Sequence, residues 1–176
     1  FLVRKRLPGF DFLSVWNEQI QERVRGPSLD YINRLFVSFV SDAVTEEDIR
    51  GVIAYADDSL KVSFIEPIVN PIHIKVKGDI ARIHVLDSVK QQIVNALLSE
   101  YGKGSPLSKR GMELPRNKAV HAVLKAKIAA FQDSESDFTV SVSQLNSLPE
   151  NYSFVTPYSV TLDIEYGNYN NSQWGR

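Results

Sequence analysis

The chain has no cysteine, a single methionine and only three histidines, and each shortage removes chemistry. Without cysteine there are no disulfides, thiolate nucleophiles or thiolate metal ligands, a composition that fits synthesis in a reducing cytoplasm. No apolar run approaches the roughly 18 residues a membrane-spanning helix needs, and no signal-type apolar segment opens the chain, so a soluble protein with no membrane partner is expected. Charge of one sign is also missing: 20 basic residues against 21 acidic ones leave a formal net charge of −1. No global field would draw the chain to nucleic acid or an anionic surface. The one dense basic run, Arg4-Lys5-Arg6, reads as solvated charge at a chain end.

What is present is an ordinary globular composition, 43% hydrophobic over 176 residues, enough for one domain or two small ones sharing a core. The chain opens on Phe1 and its methionine is Met112, so a fragment excised from a longer polypeptide is expected. Any missing catalytic group is then missing from the fragment alone. No internal repeat of 20 to 50 residues is visible.

Residues 65–104 are the most informative stretch. In Ile72-His73-Ile74-Lys75-Val76-Lys77 apolar and polar side chains alternate, the period of a strand covered on one face, and Arg82-Ile83-His84-Val85 repeats it. Gly78-Asp79 between them supplies turn residues, so a hairpin over 72–85 is expected. A helix follows, with Asp87 or Ser88 as N-cap, Val89, Ile93, Leu97 and Tyr101 as its apolar stripe, Val94 and Leu98 widening it, and Gly102 as a left-handed stop.

Elsewhere the periodicity predicts a helix over 10–24, a short turn capped by Ser28, and an almost wholly apolar strand at 35–40 suited to the centre of a sheet. Thr45 and Asp48 form a capping box, with Val44 and Ile49 as a hydrophobic staple and Val52, Ile53 and Ala56 continuing the buried stripe. With a strand at 60–65 this makes a βαβ unit. A loop spans 103–115, a helix starts at Pro115 with Val120, Val123, Leu124, Ile128 and Phe131 inward, and alternating strands follow at 138–143 and 159–166. The polar stretch 167–176 reads as a frayed tail.

Reactive groups are sparse. His73 and His84 would face each other across the hairpin, but no carboxylate stands in register to complete a tetrahedral site, so no metal is assigned. Asp57-Asp58 and Glu46-Glu47-Asp48 sit at helix ends, no Gly-x-Ser-x-Gly elbow surrounds a serine, and Gly102-Lys103-Gly104-Ser105-Pro106 follows a helix where a phosphate loop follows a strand. No catalytic residue and no cofactor is assigned. Phe10, Phe12 and Trp16 are the interface candidates, weighed against packing on the domain's own core; open strand edges are the other candidates.

The aliphatic strand and helix, the strand ending Phe64-Ile65-Glu66-Pro67, the strand after Asn70-Pro71 and the helix ending Ala96-Leu97-Leu98-Ser99-Glu100-Tyr101-Gly102 resemble the C-terminal part of the baseplate J-like family. The resemblance covers roughly 33–166 in element order and composition. It implies a structural wedge component of a contractile phage tail or related injection machine, made in a bacterial host cytoplasm and ending in the virion baseplate. Implied partners are a second copy, in a dimer or higher oligomer, and other wedge, hub and sheath-proximal proteins. The fold expected is α+β (mixed α/β), helices layered on sheet, divided as 1–64 (N-terminal helix and βαβ part), 65–166 (a ββααββ domain) and 167–176. The rival readings are a ligand-binding or enzymatic domain with its site near the 103–115 loop, and a generic adaptor.

Overall fold

The computed structural model describes residues 2–111 and 114–168, so the expected frayed tail lies outside the described residues from 169 onward. In chain order the elements are α1 (Leu2–Arg6), β1 (Phe12–Asn17), α2 (Glu18–Arg25), β2 (Arg34–Val40), α3 (Glu46–Ala56), β3 (Lys61–Phe64), β4 (Ile68–Val69), β5 (His73–Ile80), α4 (Leu86–Tyr101), α5 (Asn117–Lys127), β6 (Asp137–Ser143), β7 (Asn151–Tyr152) and β8 (Val160–Tyr166). The fold is α+β, as expected. The chain forms two compact units, and neither is one continuous segment. The first holds Phe1–Pro71, Lys103–Glu113 and Gln144–Phe154; the second holds Ile72–Gly102, Leu114–Ser143 and Val155–Arg176. A single cut near residue 64 therefore does not separate them.

In the first unit the sheet order is β1-β2-β3, with β2 antiparallel to β1 and parallel to β3. β2 is central, as its apolar run suggested, and β2-α3-β3 is the βαβ unit. Thr45 and Asp48 close the capping box: the Asp48 N–H donates to Thr45 Oγ1 at 3.3 Å and the Thr45 N–H to Asp48 Oδ2 at 2.9 Å. Val44 and Ile49 are buried together with Ile53, Leu13, Val37, Phe10 and Val3, while Ala56 at the end of the stripe is exposed.

The expected helix over 10–24 is a strand followed by a helix. β1 pairs along its whole length with β2, from Phe12↔Val40 to Asn17↔Leu35, burying Phe12 and Trp16 on one face and Leu13 on the other. Asn17 then accepts a hydrogen bond from the Ile20 N–H at 3.2 Å and starts α2. A strand buried on both faces satisfies many helical positions by accident, and pairing with β2 decides between them.

The second unit has the sheet order β6-β5-β8, β5 lying antiparallel to β6 and parallel to β8. α4 and α5 cover the face that carries Ile74, Val76 and Ile80, whereas His73, Lys75, Lys77 and Asp79 on the other face are exposed. The expected hairpin over 72–85 is absent. β5 runs straight through Gly78, because Gly78 lies opposite Phe138: a Cβ there would come within 2.6 Å of the Phe138 Cβ and 2.4 Å of the Asp137 carbonyl oxygen. Ile83 and Val85 belong to an exposed turn.

Three helix boundaries also differ. α4 begins at Leu86 with no side-chain cap from Asp87 or Ser88; its first N–H donates to Tyr166 Oη at 3.1 Å, and that hydroxyl donates to the His84 carbonyl at 2.9 Å. Gly102 ends the helix with φ −74°, outside the left-handed region. It is glycine because a Cβ would lie 2.3 Å from the Leu98 carbonyl oxygen. α5 starts at Asn117, so Pro115 precedes it. The stripes are largely buried as expected: Val89, Ile93, Leu97 and Tyr101 on α4, and Val120 and Leu124 on α5, with Ile128 and Phe131 beyond, while Val123 is only half-buried.

Candidate functional site

Phe10, Phe12 and Trp16 offer no ring to a partner. All three are buried, Trp16 at 3% exposure; Phe12 and Trp16 share one face of β1, while Phe10 packs with Leu13 in the cluster under α3. Phe10 packs edge-on against Phe39 in the cluster under α3, Phe12 stacks on Tyr152 at 5.1 Å, and Trp16 stacks on Phe36 at 6.0 Å. Their assignment as an interface is corrected to core, the alternative weighed beside it.

Behind Trp16 lies a polar network absent from the sequence reading. The indole Nε1 donates to Gln21 Oε1 at 2.8 Å, Arg25 donates to the same oxygen at 3.1 Å, and Arg25 also bridges to Glu150, which is 1% exposed. Asn146 ties the neighbouring strands together: its Oδ1 accepts from Asn70 Nδ2 and Asn151 Nδ2, each at 3.0 Å. These bonds fix the 144–154 segment onto the first unit's sheet. They connect residues far apart in sequence, so only a search for separated opposite charges around an apolar strand would have hinted at them.

The 103–115 loop, the rival site, turns its hydroxyls inward. Ser105 and Ser108 are buried and bond each other's backbone, and the Leu13 N–H donates to the Lys109 carbonyl at 3.3 Å. Met112 and Glu113 of that loop lie outside the described residues. Arg4 donates to the Leu13 carbonyl at 2.9 Å and to that of Lys109, and burial followed by the neighbouring Arg110 lowers its guanidinium pKa. Beside it a groove of about 300 Å³ is lined by apolar side chains including Leu2, Val15, Ile53 and Leu60.

The histidines are not brought together. His73 stands on the open sheet face opposite Ser143, and His84 Nε2 pairs with Asp133 Oδ2 at 2.5 Å. No group of three His, Asp or Glu side chains able to hold a metal occurs among the described residues. Asp48 completes the capping box and Asp57 holds the turn after α3: hydrogen bonds from Thr45 lower the Asp48 pKa, and those from the Ser59 hydroxyl and N–H lower that of Asp57.

What both units do present is exposed apolar surface. Leu145 is 87% exposed and Leu29, Ile68 and Val69 are exposed in the first unit; Ile83 at 83%, Val85 and Tyr158 at 97% are exposed in the second. No helix among the described residues is long and apolar enough to cross a membrane. Neither a protein-family model nor a curated protein sequence matches the chain.

Proposed function

We propose that this chain is a structural piece of a contractile-tail baseplate wedge, working through protein–protein interfaces and calling for no cofactor. The observation that carries the reading is the set of exposed apolar side chains, among them Leu29, Leu145, Ile83, Val85 and Tyr158. Isolated exposed apolar residues are common, but side chains this large and this bare are natural anchors in a partner's pocket. The order of strand, helix and strand at 34–64, then strand and long helix to Gly102, agrees with the resemblance in element order. In this reading the partners are a second copy and other wedge, hub and sheath-proximal proteins, and the site of action is the virion tail. The mechanism is mechanical: interfaces that hold one geometry before contraction and allow another after it.

The test is capture. The chain, co-expressed with the tail proteins encoded beside it, is expected to retain at least one of them through affinity purification. Ile83→Asp and Leu145→Asp, which change only exposed positions, should weaken capture and leave the thermal unfolding midpoint in place. A chain that retains no tail protein contradicts the proposal.

A further inference from the structure

β6 is the outer strand of its sheet, bonded to β5 on one side only. The Val142 N–H faces the other side, since it donates to Asn117 Oδ1 of α5 at 2.9 Å. Outward-facing residues alternate in an antiparallel ladder, so the backbone groups of Val140 and Phe138 point the same way as that of Val142. Among the described residues neither finds a hydrogen-bond partner there. Asn117 Oδ1 stands where the carbonyl of an added strand would stand, which fixes one end of the open stretch.

A groove of about 260 Å³ runs beside this edge, lined by Asn117, Lys118 and His121 of α5 and Phe138, Thr139 and Val140 of β6. Its floor is held in place: the buried Phe138 ring is sandwiched between His121, with centroids 4.0 Å apart, and Phe131 at 3.9 Å, which leaves the half-buried Val140 side chain as the accessible apolar part. The helical wall carries Lys118 and no carboxylate anywhere along α5. The one acid of β6, Asp137, sits at the far end from Asn117 and Lys118.

We propose that this edge takes up an extended acidic peptide segment of another protein by strand addition. Its backbone pairs with Val140 and Phe138, an apolar side chain lies over the half-buried Val140 side chain, and a carboxylate meets Lys118 near the Asn117 end. Backbone pairing supplies affinity and the helical wall supplies the preference for acid. The proposal stands independently of the baseplate reading, since it rests on the open edge and the groove alone.

The test uses the whole chain and a labelled hexapeptide of alternating valine and glutamate, read by fluorescence anisotropy and by amide chemical shifts. Saturable binding is expected, with shifts centred on Phe138 and Val140, and binding about tenfold weaker for the same peptide with lysine in place of glutamate. Two further peptides carry N-methyl groups on all valines or on all glutamates. One should fail and the other bind, because an added strand turns alternate N–H groups toward β6. Val140→Pro should abolish binding, as it removes only an outward N–H that an edge position can spare. Lys118→Glu should reverse the preference between acidic and basic peptides. Where Val140→Pro does not fold, the N-methyl pair and Lys118→Glu decide. No binding by the glutamate peptide, shifts elsewhere, or equal binding by both N-methyl peptides would overturn the proposal.

Discussion

Trp16 is held on every side: it stacks on Phe36, it donates from Nε1 to Gln21, and 3% of its surface is exposed. Trp16→Ala should therefore cost about 3–5 kcal/mol of stability, measured by urea unfolding, as for other large buried aromatics. A loss of association with stability unchanged would restore the interface reading. The Arg25–Glu150 pair makes a second claim of this kind. Its carboxylate side chain is 1% exposed while Arg25 keeps 32%, so Arg25→Ala strands a buried charge and should cost about 3 kcal/mol, the lower end for a broken buried pair. Arg23→Ala, on the exposed side of α2, should stay within about 0.5 kcal/mol. Equal costs would mean that the pair does not fasten the 144–154 segment. At this scale the sequence showed which residues are large and apolar. It did not show that Trp16 lies on a strand, because a strand buried on both faces and a helical stripe place apolar residues at overlapping positions.

Elements governed by nearby residues were the readable ones. α3 begins where Thr45, Asp48, Val44 and Ile49 place it, since a capping box and staple lie within five residues of each other. Thr45→Ala should cost about 1 kcal/mol. The Asp48 and Asp57 carboxyls have pKa values lowered by hydrogen bonds from Thr45 and Ser59, so the stability they contribute is complete above the ordinary aspartate value and falls away as pH drops through the lowered folded values. Acid unfolding of a Thr45→Ala variant should accordingly show a shallower loss in that acidic window than the parent chain. β5 was the unreadable case: Gly78-Asp79 carries a genuine turn signal, and what overrides it is Phe138 on another strand. Gly78→Ala should therefore cost about 1–3 kcal/mol by overpacking, where a residue in an exposed hairpin turn would tolerate the change. Leu97→Ala, fully buried on α4, should cost about 2–5 kcal/mol, and Lys75→Ala on the open face within about 0.5 kcal/mol. Similar losses for Leu97 and Lys75 would invalidate the assignment of sheet faces.

For the whole molecule, the α+β class was legible from the mixture of 3.6- and 2-residue periods, but the division into units was not. Each unit is assembled from three separated segments, and segments such as 103–113 and 144–154 carry no periodicity that says which sheet they join. Their placement follows from bonds such as Leu13 to Lys109 and Arg25 to Glu150, formed between distant residues. The proposed interface was legible least of all, because Phe10, Phe12 and Trp16, which the sequence marks as sticky, are taken by the core, whereas Leu145 and Ile83 lie in a bend and a turn and Tyr158 in a three-residue 3-10 turn, without pattern. The baseplate proposal is tested most directly by purifying intact contractile-tail particles and quantifying this protein in them by mass spectrometry against a known wedge protein. The account predicts a fixed, near-stoichiometric ratio that survives repeated gradient purification, with antibody label at the baseplate end of the tail. Particles that are complete and contractile yet free of this chain would contradict it.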